Sequence, residues 1–430
     1  MNKGGTVKRR RWVATATVVA TASAFGVVGA VSSGTAGARA GQARGVTDTS
    51  INVAGLSQQS QFSANELRVG ATARFQVENN KGGVNGRKIT YVESADDQAS
   101  VTTALSQAQR LVQQDQVFAI VPVLSPYVDQ AGPYLQQQHV PFFGWGIDAA
   151  FCKNAYAFGF TGCIVPPPSI PTTGTTWGAL INDYFKSHGS PNGAKGKTAA
   201  VIAEDNATGK TGATVIEAQV KKAGFQAVYV QSTLPPTPPG DYSPYINAML
   251  TSANGKPPDA IFLTTSVNNT TQLVSKLPAA GYKGVLTNAV LYDPRAVSLT
   301  KDNHEFVQFD VPEDSANPTM QQIVKNIQAV GGPNVQITQG MLSAYFSADA
   351  FVAALKKAGK NLTPETMAAA MKNFTYQIPT IVGPTKYPKA QIQGAPCGTL
   401  VGSDGTKYSV EVPYSCFENF NYKTGRTLNY

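Results

Sequence analysis

At 430 residues the chain exceeds one ordinary domain and is long enough for two α/β lobes, each with a full core. Its 42% hydrophobic and 14% charged residues exclude a disordered or fibrous chain. The net charge of +9 falls to +3 once the six basic residues of positions 1–40 are set apart, and no basic tract follows, so a nucleic-acid partner is not expected.

Positions 1–40 have the order of a secretory signal: Lys8-Arg9-Arg10-Arg11, an apolar stretch from Trp12 to Ala30, then small residues ending Ala38-Arg39-Ala40. The apolar stretch approaches the roughly 20 residues that span a bilayer, so a retained anchor is the alternative to cleavage. Either outcome places the remainder outside the cytoplasm, in the periplasm or at the cell surface. No cysteine precedes Cys152, so a lipidated mature N-terminus is not expected.

Beyond the signal, short β-branched runs alternate with amphipathic stretches, the pattern of βα units on parallel sheets. Ile51–Leu56 reads as a strand, Ala64–Asn79 as a helix, and Asn85-Gly86 as a turn feeding the strand Ile89–Val92. A helix near Val101–Gln114, the strand Val117–Val123, a helix near Tyr127–Gln138 and the strand Val140–Phe143 complete one doubly wound lobe. Val165–Pro171 carries four prolines and continues neither element type, so it reads as a crossing between lobes.

The alternation then restarts. Strands are expected at Lys197–Ala203, Ala227–Gln231, Asp259–Leu263 and Gly284–Val290, with helices at Lys210–Ala223, Tyr245–Ser252 and Thr270–Ala280 between them. Phe306–Val311 reads as a strand crossing back, followed by helices near Thr319–Val330, Gln339–Ala358 and Thr363–Phe374. The expected fold is therefore α/β, two doubly wound lobes around a central ligand cleft. Residues 46–165 with 306–360 form the first lobe, and 166–305 with 361–430 the second. Open α/β sheets bind ligands at the carboxyl ends of their strands, which such a cleft brings face to face.

Cysteines fall as two local pairs, Cys152 with Cys163 and Cys397 with Cys416, in a compartment where disulfides persist. Structural bridges are expected; zinc ligation or a catalytic thiol is the alternative, but there is no Cys-x-x-Cys and no adjacent His. His139, His188 and His304 stand isolated, and neither a His-Glu-x-x-His nor a Gly-x-Ser-x-Gly motif occurs. Asp96-Asp97 and Glu204-Asp205 are neighbours in strands and point to opposite faces, so neither makes a facing dyad. Asn206-Ala207-Thr208-Gly209-Lys210-Thr211 lacks the first Gly of a phosphate loop. No enzyme, metal or cofactor is expected.

Several segments resemble the branched-chain amino-acid-binding family of type I periplasmic-binding proteins, which feed ABC importers. They are Gly70-Ala71-Thr72-Ala73-Arg74 with Lys81–Arg87, Glu93–Gln98, Ala344–Ala350, and Ile381-Val382-Gly383-Pro384-Thr385-Lys386-Tyr387. Order and spacing match over nearly all of residues 46–405. The resemblance implies a monomeric solute receptor partnered by an ABC permease; a ligand-sensing or partner-docking protein on the same fold is the alternative.

The family's ligand contacts map onto Ser125 and Tyr127 after the third strand, and onto Gly146 and Asp148 after the fourth. In the second lobe they map onto Thr208 and onto Asn268 in Ser266-Val267-Asn268. Ser125 opens a helix, where unsatisfied N–H groups and the dipole favour an anion, although a plain N-cap Ser needs no ligand. Asp148 stands where the family has Thr, and Thr208 and the Ser266–Asn268 stretch stand where it has aromatic residues. The family's acid for a ligand ammonium falls near Asn288-Ala289, which is uncharged; Asp148 or Asp293 could substitute. These departures favour a small carboxylate or polar amide over a branched-chain amino acid.

Overall fold

The computed structural model describes residues 43–429, so the signal expected at 1–40 lies outside the described residues. In the first half, β1 (Ser50–Ser57), α1 (Ala64–Asn79), β2 (Lys88–Asp96), α2 (Val101–Gln113), β3 (Ala119–Leu124), α3 (Ala131–Gln137), β4 (Phe142–Gly144) and β5 (Ala157–Gly159) follow one another. The strands are parallel in the order β2-β1-β3-β4-β5. Helix α1 starts where Ser63 accepts the Glu66 N–H and Glu66 returns a bond to the Ser63 backbone, so two donors freed at the helix start are satisfied.

The second half repeats that winding. After β6 (Thr172–Gly174) and α4 (Thr176–Ser187) come β7 (Thr198–Glu204), α5 (Ala207–Ala223), β8 (Gln226–Leu234), α6 (Ser243–Leu250), β9 (Ala260–Thr264), α7 (Val267–Ala279), β10 (Val285–Asn288) and β11 (Asn303–Val307). Five of these strands run parallel in the order β8-β7-β9-β10-β11, the same winding as the first sheet. Helix α5 ends on Gly224 at φ 108°, a left-handed C-cap that glycine adopts without a Cβ penalty.

The chain then returns to the first half with α8 (Pro318–Gly331), α9 (Gln339–Ala358), α10 (Pro364–Met371), β12 (Thr375–Ile378) and β13 (Val382–Lys386). Helix α9 buries Phe346 and Phe351 against α1, β3 and β4, so most of its residues are buried. Finally β14 (Cys397–Ser403) and β15 (Tyr408–Cys416) extend the second sheet antiparallel beyond β11. β16 (Asn419–Asn421) pairs with β6 and with β17 (Thr427–Leu428).

The lobe boundaries are expected near positions 306 and 361. Strand β11 belongs to the second sheet because it pairs in parallel register with β10, and only residues beyond it cross over. Residues 364–387 stay with the first half: Met367 and Met371 join its core, and Tyr376 Oη donates to Phe346 O at 3.2 Å. Tyr387 Oη donates to Gly159 O at 2.7 Å. The return to the second sheet begins only near residue 390. Each sheet is covered on both faces, with separate apolar clusters on either side of the second.

Candidate functional site

The switch point of each sheet lies where the winding changes direction, between β1 and β3 and between β7 and β9. Residues just past the carboxyl ends of these strands enclose a cavity of about 180 Å³, lined from both halves.

From the first half come Gln61, Tyr127, Trp145 and Ile147, with Ile164 and Val165 of the crossing segment. Trp145 is buried, stands edge-on to Phe62, and donates its indole N–H to Gln308 Oε1. Tyr127 is 8% exposed; burial first, and then the Glu204 and Asp97 carboxylates, push its hydroxyl up to about 12. It is a neutral donor at any ordinary pH.

From the second half come Trp177, Glu204, Asn206, Thr208, Ser266 and Phe306. Trp177 stacks on Phe306 with ring centroids 5.3 Å apart and donates to Thr287 Oγ1 at 2.9 Å, so the indole is held at both its face and its edge. Thr208 Oγ1 donates to Pro126 O at 3.2 Å, a bond from α5 of one half to the loop after β3 of the other.

Among the described residues, Glu204 is the only acidic or basic side chain on the lining. It ends β7 at 4% exposure and ties two helix starts together. Its Oε1 accepts the Ser266 N–H at 2.9 Å, the Ser266 hydroxyl at 2.5 Å and Asn269 Nδ2 at 2.8 Å. Its Oε2 accepts only Asn206 Nδ2, at 3.3 Å. The N-termini of α5 and α7 favour its charge. It forms no ion pair with any cation among the described residues.

Of the site residues expected from the sequence, Tyr127 and Thr208 line the cavity. Ser125 lies behind it, fully buried: its Oγ accepts the Tyr127 N–H at 3.0 Å, and it is hydrogen-bonded to Asp97. Gly146 is occupied structurally, since a Cβ there would fall 1.7 Å from the Gly162 carbonyl oxygen. Asp148 is also fully buried; Oδ1 caps Ala150 N–H at 2.7 Å, Oδ2 has no partner, and burial pushes the carboxyl up to about 7. Asp293 instead sits against Arg295. Asn268 is exposed, while its neighbour Asn269 is the residue that reaches Glu204.

In the sequence Glu204 and Asp205 are strand neighbours that point to opposite faces, and that alternation is the signal that could have found Glu204. Asp205 turns out to solvent and meets Lys210 at 2.7 Å, whereas Glu204 turns in. Trp145 and Trp177, two of the chain's three tryptophans, carried no motif and were missed as lining residues.

The family model described as periplasmic binding protein matches residues 52–407. The chain belongs to this family. Among solved structures, it is similar to the fatty acid ABC transporter substrate-binding protein of Thermomonospora curvata. The two share 16% identity over 90% of this chain and 97% of that one, with a TM-score of 0.69. A Rhodopseudomonas palustris solute-binding protein in complex with 4-hydroxybenzoate matches at 17% identity, 86% and 97% coverage, and a TM-score of 0.67. The branched-chain amino acid transporter substrate-binding protein of Streptococcus pneumoniae, in complex with isoleucine, matches at 15% identity, 85% and 100% coverage, and 0.62. At such identities the likeness shows the periplasmic-binding fold alone. No curated protein matches the chain.

Both cysteine pairs of this binding protein are disulfides, Cys152–Cys163 and Cys397–Cys416. The first closes the segment leading into Ile164 and Val165 on the cavity wall; the second joins β14 to β15 where they are paired in register. Among the described residues no helix is long and apolar enough to cross a membrane, and no group of His, Cys, Asp and Glu could hold a metal ion.

Proposed function

We propose that the chain is an exported, extracytoplasmic solute-binding protein, which closes its halves over one small molecule and delivers it to an ABC importer. Its ligand has the size of an amino acid, an amide or a small carboxylate. It acts as a monomer without cofactor or lipid anchor and does no chemistry on its cargo. The observation that carries this reading is the cavity between the two switch points, walled from both halves and bridged by the Thr208–Pro126 bond. Tyr127 and Thr208 are its proposed ligand contacts, joined by Trp145, Trp177 and Glu204. Hinge closure around a ligand follows from having few chain crossings between two stiff sheets.

A thermal-shift screen of amines, amides, carboxylates and amino acids tests the reading. A ligand of the native state at a hundredfold excess over its dissociation constant stabilises by about 2.7 kcal/mol. A Gly212→Trp variant supplies the control, because Gly212 lines the cavity and a Cβ there meets only Thr264 Oγ1, at 3.0 Å. Hits should raise the melting temperature of the wild type and leave the filled variant unmoved. An equal response in both would place the binding elsewhere and end the proposal.

A further inference from the structure

We propose that the ligand is an organic cation, a protonated amine on a ring-sized apolar body, with its charge against Glu204 and its body between the indoles of Trp145 and Trp177. This rests on the reading of the cavity as the ligand site and adds the sign of the charge that the site selects.

The lining sorts ligands by charge. Glu204 is its only charged side chain, no Lys, Arg or His lines it, and Glu204 has no cationic partner among the described residues. A carboxylate ligand would bring a second negative charge against a carboxylate only 4% exposed, where like charges repel more strongly than in bulk water. A cation entering the same space gains the partner that the carboxylate lacks.

Several donors near Glu204 are already engaged, although the Tyr127 hydroxyl on the lining is not among them. The Ser125 hydroxyl is committed to Tyr127 N–H and Asp97. At the start of α7 the Ser266 N–H and hydroxyl both go to Glu204, and at the start of α5 the Gly209 N–H goes to Asn206 Oδ1. Acceptor capacity remains at Glu204 itself. A carboxylate offers about four lone-pair positions. Oε1 of Glu204 takes three bonds and Oε2 a single long one, so Oε2 has room for an ammonium hydrogen.

Size and shape set the body. A dry cavity of about 150 Å³ holds benzene. The 180 Å³ here suits a ring or a branched alkyl group with a short arm. Two indoles and the Tyr127 ring lie on the lining, and a cation is attracted to the π system of such a ring.

The experiment is calorimetric titration of wild type with 2-phenylethylamine, 3-phenylpropanoate and 3-phenylpropanamide, and with butylamine to octylamine beside the matching acids and amides. The amines should bind about tenfold or more tightly than their matched acids and amides, the range of a hydrogen bond to a charged group. Glu204→Gln should erase that advantage, so that within the variant each amine binds no more tightly than its matched amide. Acids or amides that bind as tightly as the amines in wild type, and are lost in Gly212→Trp, would overturn the charge inference and leave the cavity reading standing. Amines that still bind Gly212→Trp would overturn the cavity reading itself. Silence across the whole panel would overturn the amine proposal, because both charge and size would then be wrong.

Discussion

Asp148→Asn separates a buried structural carboxyl from a ligand-binding one. Burial pushes the folded-state carboxyl from its ordinary 3.8 up to about 7. Between those values the folded protein holds a proton that the unfolded chain has released, so the unfolded state binds fewer protons and stability falls as pH rises. From pH 5 to pH 7 the loss is about 1.4 kcal/mol per pH unit, or about 3 kcal/mol in all, and above pH 7 it levels off. Asparagine keeps the acceptor for Ala150 N–H but has no proton to lose. It places an amide where Oδ2 already lacks a partner, a cost that is the same at both pH values. Urea denaturation of both proteins at pH 5 and pH 8 should therefore show Asp148→Asn gaining about 3 kcal/mol relative to wild type between the two. A gain below about 0.5 kcal/mol, a surface-like value, would refute the buried neutral carboxyl. Stability unchanged with ligand binding abolished would restore Asp148 as a ligand acceptor.

Gly146→Ala should destabilise by about 3 kcal/mol or more, the upper range for overpacking, because the added methyl meets backbone rather than a side chain that can turn away. Near-neutral stability with weakened ligand binding would mean instead that Gly146 makes room for the ligand; chemical denaturation beside calorimetry reads both. Replacing Cys152 and Cys163 together by Ala should cost about 3 kcal/mol, since the bond closes a separation of only 11 residues. Melting curves under non-reducing conditions check it, and an unchanged melting temperature would contradict it.

Much of the fold was legible because βα units announce themselves locally. Apolar strand runs, Gly at helix ends and the polyproline crossing are all short-range signals. The second lobe's boundary was less so: α10, β12 and the residues up to Tyr387 carry nothing in their own sequence that says which sheet they will join, and Phe346 and Gly159, the partners of Tyr376 and Tyr387, lie far away in the chain. The β14–β15 hairpin was missed because β15 is an edge strand of mixed burial, outside the span of the family resemblance. At the cavity, the resemblance names Tyr127 and Thr208, which lie on the lining, and Asn268, which lies one residue from the Asn269 that reaches Glu204. On a helix that step rotates the side chain by about 100°, here from the buried Asn269 to solvent. Glu204 was hidden for another reason. A carboxylate at a strand end reads as a surface residue until the helix starts at Asn206 and Ser266 are seen to converge on it.

Hydrogen–deuterium exchange with and without a ligand that raises the melting temperature tests the central claim most directly. Closure over the cavity should slow exchange together at Ser125–Val128 of the first half and at Asn206–Gly212 of the second, the segments that Thr208 and Pro126 join. Protection confined to one half, or lying away from both segments, would contradict a ligand held between the two sheets.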